Sequence, residues 1–243
     1  MNSEEICRYS GHINLEAIGR EGQERVAGSA VLIVGCGGLG SPVALYLAAA
    51  GVGRIGLIDG DTVALSNLQR QIIHSPADLD RPKTASAADK MHAVNPGIIV
   101  ETMDFRLTAE DGPTIIESYD VIVDCTDSLA SRLLVNDLCV ASRKRYVFGS
   151  VGGFGGMLFT YIPGHSDYRT FFDATVPEDG AQARSDSASG VFSATVGTVG
   201  ALMAGETLKL LTGAGIPLTD RLLTVDLLTM TTNEFRISGS NDA

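Results

Sequence analysis

Tryptophan is absent, aromatic residues make up 6% of the chain, and only four cysteines occur among 243 residues. Cys7, Cys36, Cys125 and Cys139 form no C-x-x-C pair, which excludes the spacing of a zinc cage and of a disulfide framework. Cations are also scarce: 18 Lys and Arg face 29 Asp and Glu, a formal charge of −11 that argues against non-specific nucleic-acid binding. The longest apolar runs, around 30–34 and 43–52, are short or broken by glycine, and none nears the roughly 20 residues of a membrane span. The first residues carry Glu4 and Glu5 and no apolar core of a signal peptide, so the expected location is the cytoplasm. With 44% hydrophobic residues and 28 glycines, the chain holds enough apolar surface for a full globular core.

The pattern along the chain is an alternation of short apolar runs with helical periods. Residues 1–28 read as a helical opening segment. Ala30 to Val34 is a continuous apolar run that ends in glycines, the look of a buried parallel strand entering a tight turn. A helix over 41–51 and a strand over 54–59 complete a β-α-β unit. Helices near 82–94, 109–118 and 129–142 then alternate with strands near 98–103, 121–124 and 146–149. This predicts an α/β fold with a doubly wound, mostly parallel sheet of Rossmann type, its ligand at the carboxyl ends of the strands. The remainder reads as a β-like stretch at 151–161, a long mobile loop over 164–190, a helix over 194–211 and two antiparallel strands at 222–228 and 231–237.

Gly35-Cys36-Gly37-Gly38-Leu39-Gly40 lies between the first strand and its helix, the setting in which a glycine loop receives phosphate. Gly35 permits the turn, Gly37 and Gly38 the approach of an anion, and Gly40 helix packing. Asp59 ends the next strand roughly two dozen residues later, where a ribose-binding carboxylate belongs. That much suits a nicotinamide dinucleotide equally well. The discriminating residues are Asp61, the run Ser66-Asn67-Leu68-Gln69-Arg70-Gln71, and Lys83, because ATP leaving as pyrophosphate benefits from Arg and Lys on its outer phosphates. Asp127 closes Asp124-Cys125-Thr126-Asp127 just beyond another strand, placed to hold Mg²⁺ against phosphate or to cap the following helix, as Ser128 also would.

With these motifs together, the chain resembles the MoeB/ThiF/HesA adenylyltransferases, bacterial relatives of the ubiquitin-activating enzymes, from about Arg8 to Ile237. The resemblance implies one adenylating domain over 1–243, with a nucleotide-binding core over 29–150 and a carrier-docking part over 151–243. It implies that Asp59 binds ribose, that Asn67, Arg70 and Lys83 meet the phosphates, that Asp127 ligates Mg²⁺, and that the chain forms a homodimer. The implied reaction is ATP-dependent adenylation of the C-terminal Gly-Gly carboxylate of a ubiquitin-like sulfur-carrier protein, with pyrophosphate released. No membrane and no nucleic acid are expected as partners.

Three departures from the family pattern accompany the match. The second basic residue of the family's opening Arg-Tyr-x-Arg-Gln, which reaches the partner subunit's ATP, is Gly11 here; Arg8, His12 and Arg20 are the nearby substitutes. The zinc cysteines that many relatives carry are missing from 167–170 and from everything after, so no zinc is expected. No thiol follows Cys139, so the loop before Gly190-Val191 offers none for a carrier thioester or persulfide. Tyr168, Phe171 and Phe172 in that loop would either clamp a carrier tail or pack on the sheet. Other readings stay open: adenylation of a peptide, a small acid or a tRNA base, a nicotinamide-dependent oxidoreductase, and a non-catalytic ATP-binding homologue.

Overall fold

In a computed structural model that describes residues 1–172 and 190–237, eight strands form a single sheet in the order β3-β2-β1-β4-β5-β6-β7-β8. The strands are β1 (Ala30–Val34), β2 (Arg54–Ile58), β3 (Ile99–Met103), β4 (Val121–Asp124), β5 (Arg145–Gly152), β6 (Gly155–Tyr161), β7 (Arg221–Asp226) and β8 (Thr231–Arg236). The first five run parallel, and β6 to β8 each pair antiparallel with the preceding strand. The helices are α1 (Ser3–Arg8), α2 (Ser10–Ile13), α3 (Gly19–Gly28), α4 (Gly40–Ala50), α5 (Lys83–Val94), α6 (Gly112–Glu117), α7 (Leu129–Ala141), α8 (Tyr168–Phe172) and α9 (Ser193–Thr212).

Burial follows the alternation of side chains along a strand. Val31 and Ile33 of β1 face one layer with Leu47 of α4 and Val199 and Met203 of α9, while Leu32 and Val34 face the other with Ile122, Phe148 and Phe159. Every residue of β1 is buried because helices cover both faces, which is why that strand reads as an unbroken apolar run. No helix among the described residues is long and apolar enough to cross a membrane.

The sequence places a mobile loop over 164–190, but the structure builds its start into α8. Tyr168 is buried, its ring 5.0 Å from Phe148, and Phe171 lies 4.6 Å from Phe159. These aromatics therefore extend the core on one face of the sheet, and the clamp reading of Tyr168, Phe171 and Phe172 gives way to packing. The apolar spacing of a five-residue helix is too short to register against its polar flanks. Residues 173–189, the rest of that stretch, lie outside the described residues.

Candidate active site

Strand order reverses between β1 and β4, and a cleft opens at the carboxyl ends of β1, β2 and β4. The register gathers its residues: Val34 pairs with Ile58 on one side and Asp124 on the other, so Gly35, Asp59 and Cys125 leave the sheet at one level. Gly35 turns the chain with φ +96°, and a side chain on Gly40 would overlap the Gly35 carbonyl oxygen at 2.1 Å. That close approach brings the start of α4 against the end of β1. Gly37 and Gly38 line the cleft, and neither amide donates to a backbone carbonyl of the described residues. Two unspent donors before a helix N-terminus form a cradle for an anion.

Asp59 holds this loop. Its Oδ2 accepts from the Cys36 amide at 2.8 Å and its Oδ1 from the Asp61 amide at 2.8 Å. Each oxygen keeps a further lone pair, and Asp59 lines the cleft. Asp61 accepts from Lys83 Nζ at 3.0 Å and pairs with Arg106. Desolvation raises the Asp61 carboxyl, but the Lys83 and Arg106 charges outweigh it and hold the group below the usual carboxylate range. The Lys83 side chain is only 8% exposed, so its ammonium is aimed by burial.

Arg70, Gln71 and Asp127 complete the set that the sequence singles out and the structure brings together. Arg70 donates to the Ser66 carbonyl oxygen at 3.1 Å. Gln71 is buried, and its Oε1 has no hydrogen-bond partner among the described residues. Asp127 is exposed on the cleft wall, and α7 is capped by Ser128, whose hydroxyl accepts from the Ser131 amide at 3.2 Å. Asn67 does not line the cleft; its carbonyl accepts from the Arg70 and Gln71 amides and fixes their turn.

Sequence reasoning missed Arg106 and Arg132, two further cations on the cleft. Arg132 is 8% exposed and its guanidinium lies 5.6 Å above the Phe148 ring. Its place on the first turn of α7 was a usable signal, since that turn faces the cleft. Cys36 in the glycine loop and Cys125 on the cleft are poor nucleophiles: burial pushes the Cys36 thiol up, with Asp59 adding to it, and burial does the same to Cys125.

The three residues near the position of the arginine absent at Gly11 each have a partner within this chain. Arg8 donates to the Val94 carbonyl oxygen at 3.1 Å, His12 Nδ1 lies 3.0 Å from Gln23 Oε1, and Arg20 pairs with Glu24.

A ThiF family model matches residues 9–243. The chain belongs to the ThiF family. Among relatives, the adenylyltransferase and sulfurtransferase MOCS3-1 of Zea mays is 42% identical over 97% of this chain and 50% of its own length. The sulfur carrier protein adenylyltransferase of Thermus thermophilus is 40% identical over 93% of this chain and 84% of its own length. A probable adenylyltransferase/sulfurtransferase MoeZ of Mycobacterium tuberculosis is 41% identical over 95% of this chain and 59% of its own length. The chain thus spans about half of several curated relatives it matches. Two solved structures share the ThiF-family fold of this chain. PaaA matches with a TM-score of 0.81 at 22% identity, covering 98% of this chain and 75% of its own. Escherichia coli MccB matches with a TM-score of 0.81 at 21% identity, covering 97% and 71%.

Proposed function

We propose that this ThiF-family chain uses ATP to adenylate the C-terminal Gly-Gly carboxylate of a ubiquitin-like sulfur-carrier protein. The observation that carries the reading is the buried Lys83 ammonium, set by Asp61 beside the glycine loop and sharing its cleft with Arg70 and Arg106. A pyrophosphate across a glycine loop needs no such cluster, whereas three phosphates that must leave in part gain from each cation. The relatives named above are adenylyltransferases, which favours ATP over a nicotinamide dinucleotide.

Asp59 accepts a ribose hydroxyl, the Gly37 and Gly38 amides meet phosphate, and Arg70, Lys83 and Arg106 neutralise the outer phosphates. A carboxylate oxygen of the carrier attacks the α-phosphorus, the bond from that phosphorus to the bridging oxygen breaks, and pyrophosphate leaves with the electron pair. Positioning and charge neutralisation suffice for this step, so no protein nucleophile is required. Asp127 fits Mg²⁺, since that ion takes one or two protein carboxylates and completes its shell with phosphate and water. When bound there, Mg²⁺ supplies further neutralisation of phosphate charge.

The acyl-adenylate passes on without a thioester, since no cysteine follows Cys139, Cys36, Cys125 and Cys139 are buried, and the exposed Cys7 does not line the cleft. The chain works as a homodimer in the cytoplasm, and no zinc enters the design. ATP–pyrophosphate exchange tests the reading, with each candidate Gly-Gly carrier added in turn and a tail-truncated carrier as control. Exchange that depends on an intact tail supports it; exchange without any carrier, or no exchange with any of the carriers, overturns the carrier assignment.

A further inference from the structure

His74 lies beneath the glycine loop and takes no part in the roles assigned above. It is 7% exposed, with Nε2 3.0 Å from the Cys36 carbonyl oxygen and Nδ1 2.9 Å from Ser86 Oγ. A carbonyl oxygen only accepts, so Nε2 carries the proton, and Nδ1 of the neutral ring accepts from the Ser86 hydroxyl. Burial lowers the imidazole below its ordinary range, the Cys36 carbonyl and Asp78 oppose that, and Lys83 and Lys90 add to it. The ring is therefore neutral near pH 7.

The peptide bonds here are trans, so each carbonyl points opposite to the N–H of its own peptide group. The Cys36 carbonyl is turned onto His74, which aims the Gly37 N–H away from the imidazole. On the other side of Cys36, its amide is held by Asp59 Oδ2. Both peptide planes that flank Cys36 are thus fixed by side chains from outside the loop. Ser86 sits one turn after Lys83 on α5, so the same imidazole ties the loop to the helix that carries the buried cation.

We propose that His74 is a positioning residue for the phosphate-binding loop: it locks the Cys36–Gly37 peptide so that the Gly37 amide meets a nucleotide phosphate, and holds that loop in register with Lys83. The inference rests on the ATP-site reading. An unlocked peptide would sample orientations in which the donor is lost, and a variant that still donates to the Cys36 carbonyl should restore it.

Calorimetric titration of the full chain with ATP and Mg²⁺, alongside thermal unfolding, tests this. His74→Ala should weaken ATP binding about tenfold, the scale of one well-placed hydrogen bond, while His74→Gln, whose amide donates to the same carbonyl, should stay within about threefold. Nitrogen-15 spectra should show the His74 proton on Nε2 in the folded chain. ATP bound by His74→Ala as tightly as by the unaltered chain would overturn the inference alone, as would a proton on Nδ1. If Gln rescues melting temperature but not ATP affinity, the role is structural and the proposal fails. An unaltered chain that binds no ATP removes the site reading and this inference with it.

Discussion

Lys83 Nζ and Asp61 Oδ2 lie 3.0 Å apart at the mouth of the cleft, the lysine nearly closed to solvent and the aspartate shared with Arg106. One carboxylate thus holds two cations side by side before any anion arrives. Removing the lysine leaves Asp61 paired to Arg106, so the fold should survive. Lys83→Met should lower carrier-dependent pyrophosphate exchange about 10²- to 10³-fold, as for loss of one preorganised charge in a transition state, with little change in melting temperature. Exchange within a few-fold of the unaltered chain would take Lys83 out of the reaction.

Arg106 is the exposed member of that group, with a side chain 76% accessible. Solvent screens it, so its share is smaller. Arg106→Ala should raise the KM for ATP about three- to tenfold at low salt, and the gap should narrow as salt rises. Equal KM values at low salt would show that Arg106 touches no phosphate.

The contrast between these two cations shows what was legible in the sequence. Lys83 follows a proline at a helix start, downstream of the recognisable run that holds Arg70. Arg106 belongs to no motif. It reaches Asp61 only because β2 and β3 pair in parallel with Ile58 opposite Met103, which sends the residues after each strand out together. β1, β2 and β4 were legible for a local reason, since continuous apolar runs ending in Gly or Asp mark strands buried on both faces. Helix α8 was not, because five residues carry less than two turns of periodicity and its aromatics acquire meaning only from Phe148 and Phe159 across the sheet. His74 likewise gains its partners from Cys36 and Ser86, both distant in sequence.

Asp127 separates metal binding from helix capping. Ser128 caps α7, so the helix cap does not depend on Asp127, and Mg²⁺-dependent turnover of Asp127→Ala should fall about 10²-fold or more. Undiminished turnover would end its metal role. A large loss of melting temperature with turnover retained would point to the helix instead.

Asp78 anchors the segment between β2 and α5 that delivers Arg70 and Lys83 to the cleft. Buried, it accepts from Lys90 at 2.7 Å with both oxygens, from Arg81 at 2.9 Å and from the Ser75 hydroxyl at 2.6 Å. Burial raises its carboxyl, yet Lys90 and Ser75 outweigh that and hold it far below the usual range. A depressed carboxylate stabilises the fold above its unfolded value near 4, and this contribution is lost as pH falls below that value. Asp78→Asn takes the carboxylate from Lys90, while Arg81 keeps Asp89 at 2.7 Å, and should lower melting by about 5–10 °C at pH 7, with the difference shrinking toward pH 3. A difference that does not change with pH would show that charge at Asp78 is not what holds the segment.

Asp124 has the opposite sign. It is fully buried at the end of β4, its Oδ1 accepts from the Thr126 amide at 3.0 Å and hydroxyl at 2.7 Å, and its Oδ2 has no hydrogen-bond partner among the described residues. Burial pushes its carboxyl up to about 6, against the lowering effects of the Thr126 bonds and Arg132. Between about pH 4 and 6 the unfolded chain gives up this proton first while the native chain keeps it, so stability falls as pH rises through that window. Above it the cost is constant and on the order of 3 kcal/mol. Asp124→Asn keeps an oxygen for Thr126 and carries no titrating proton. Its melting temperature relative to the unaltered chain should therefore climb by about 6–12 °C from pH 4 to pH 7 and then level off. Parallel curves across that range would mean that Asp124 ionises as freely in the fold as out of it, and that water or Arg132 satisfies the buried oxygen.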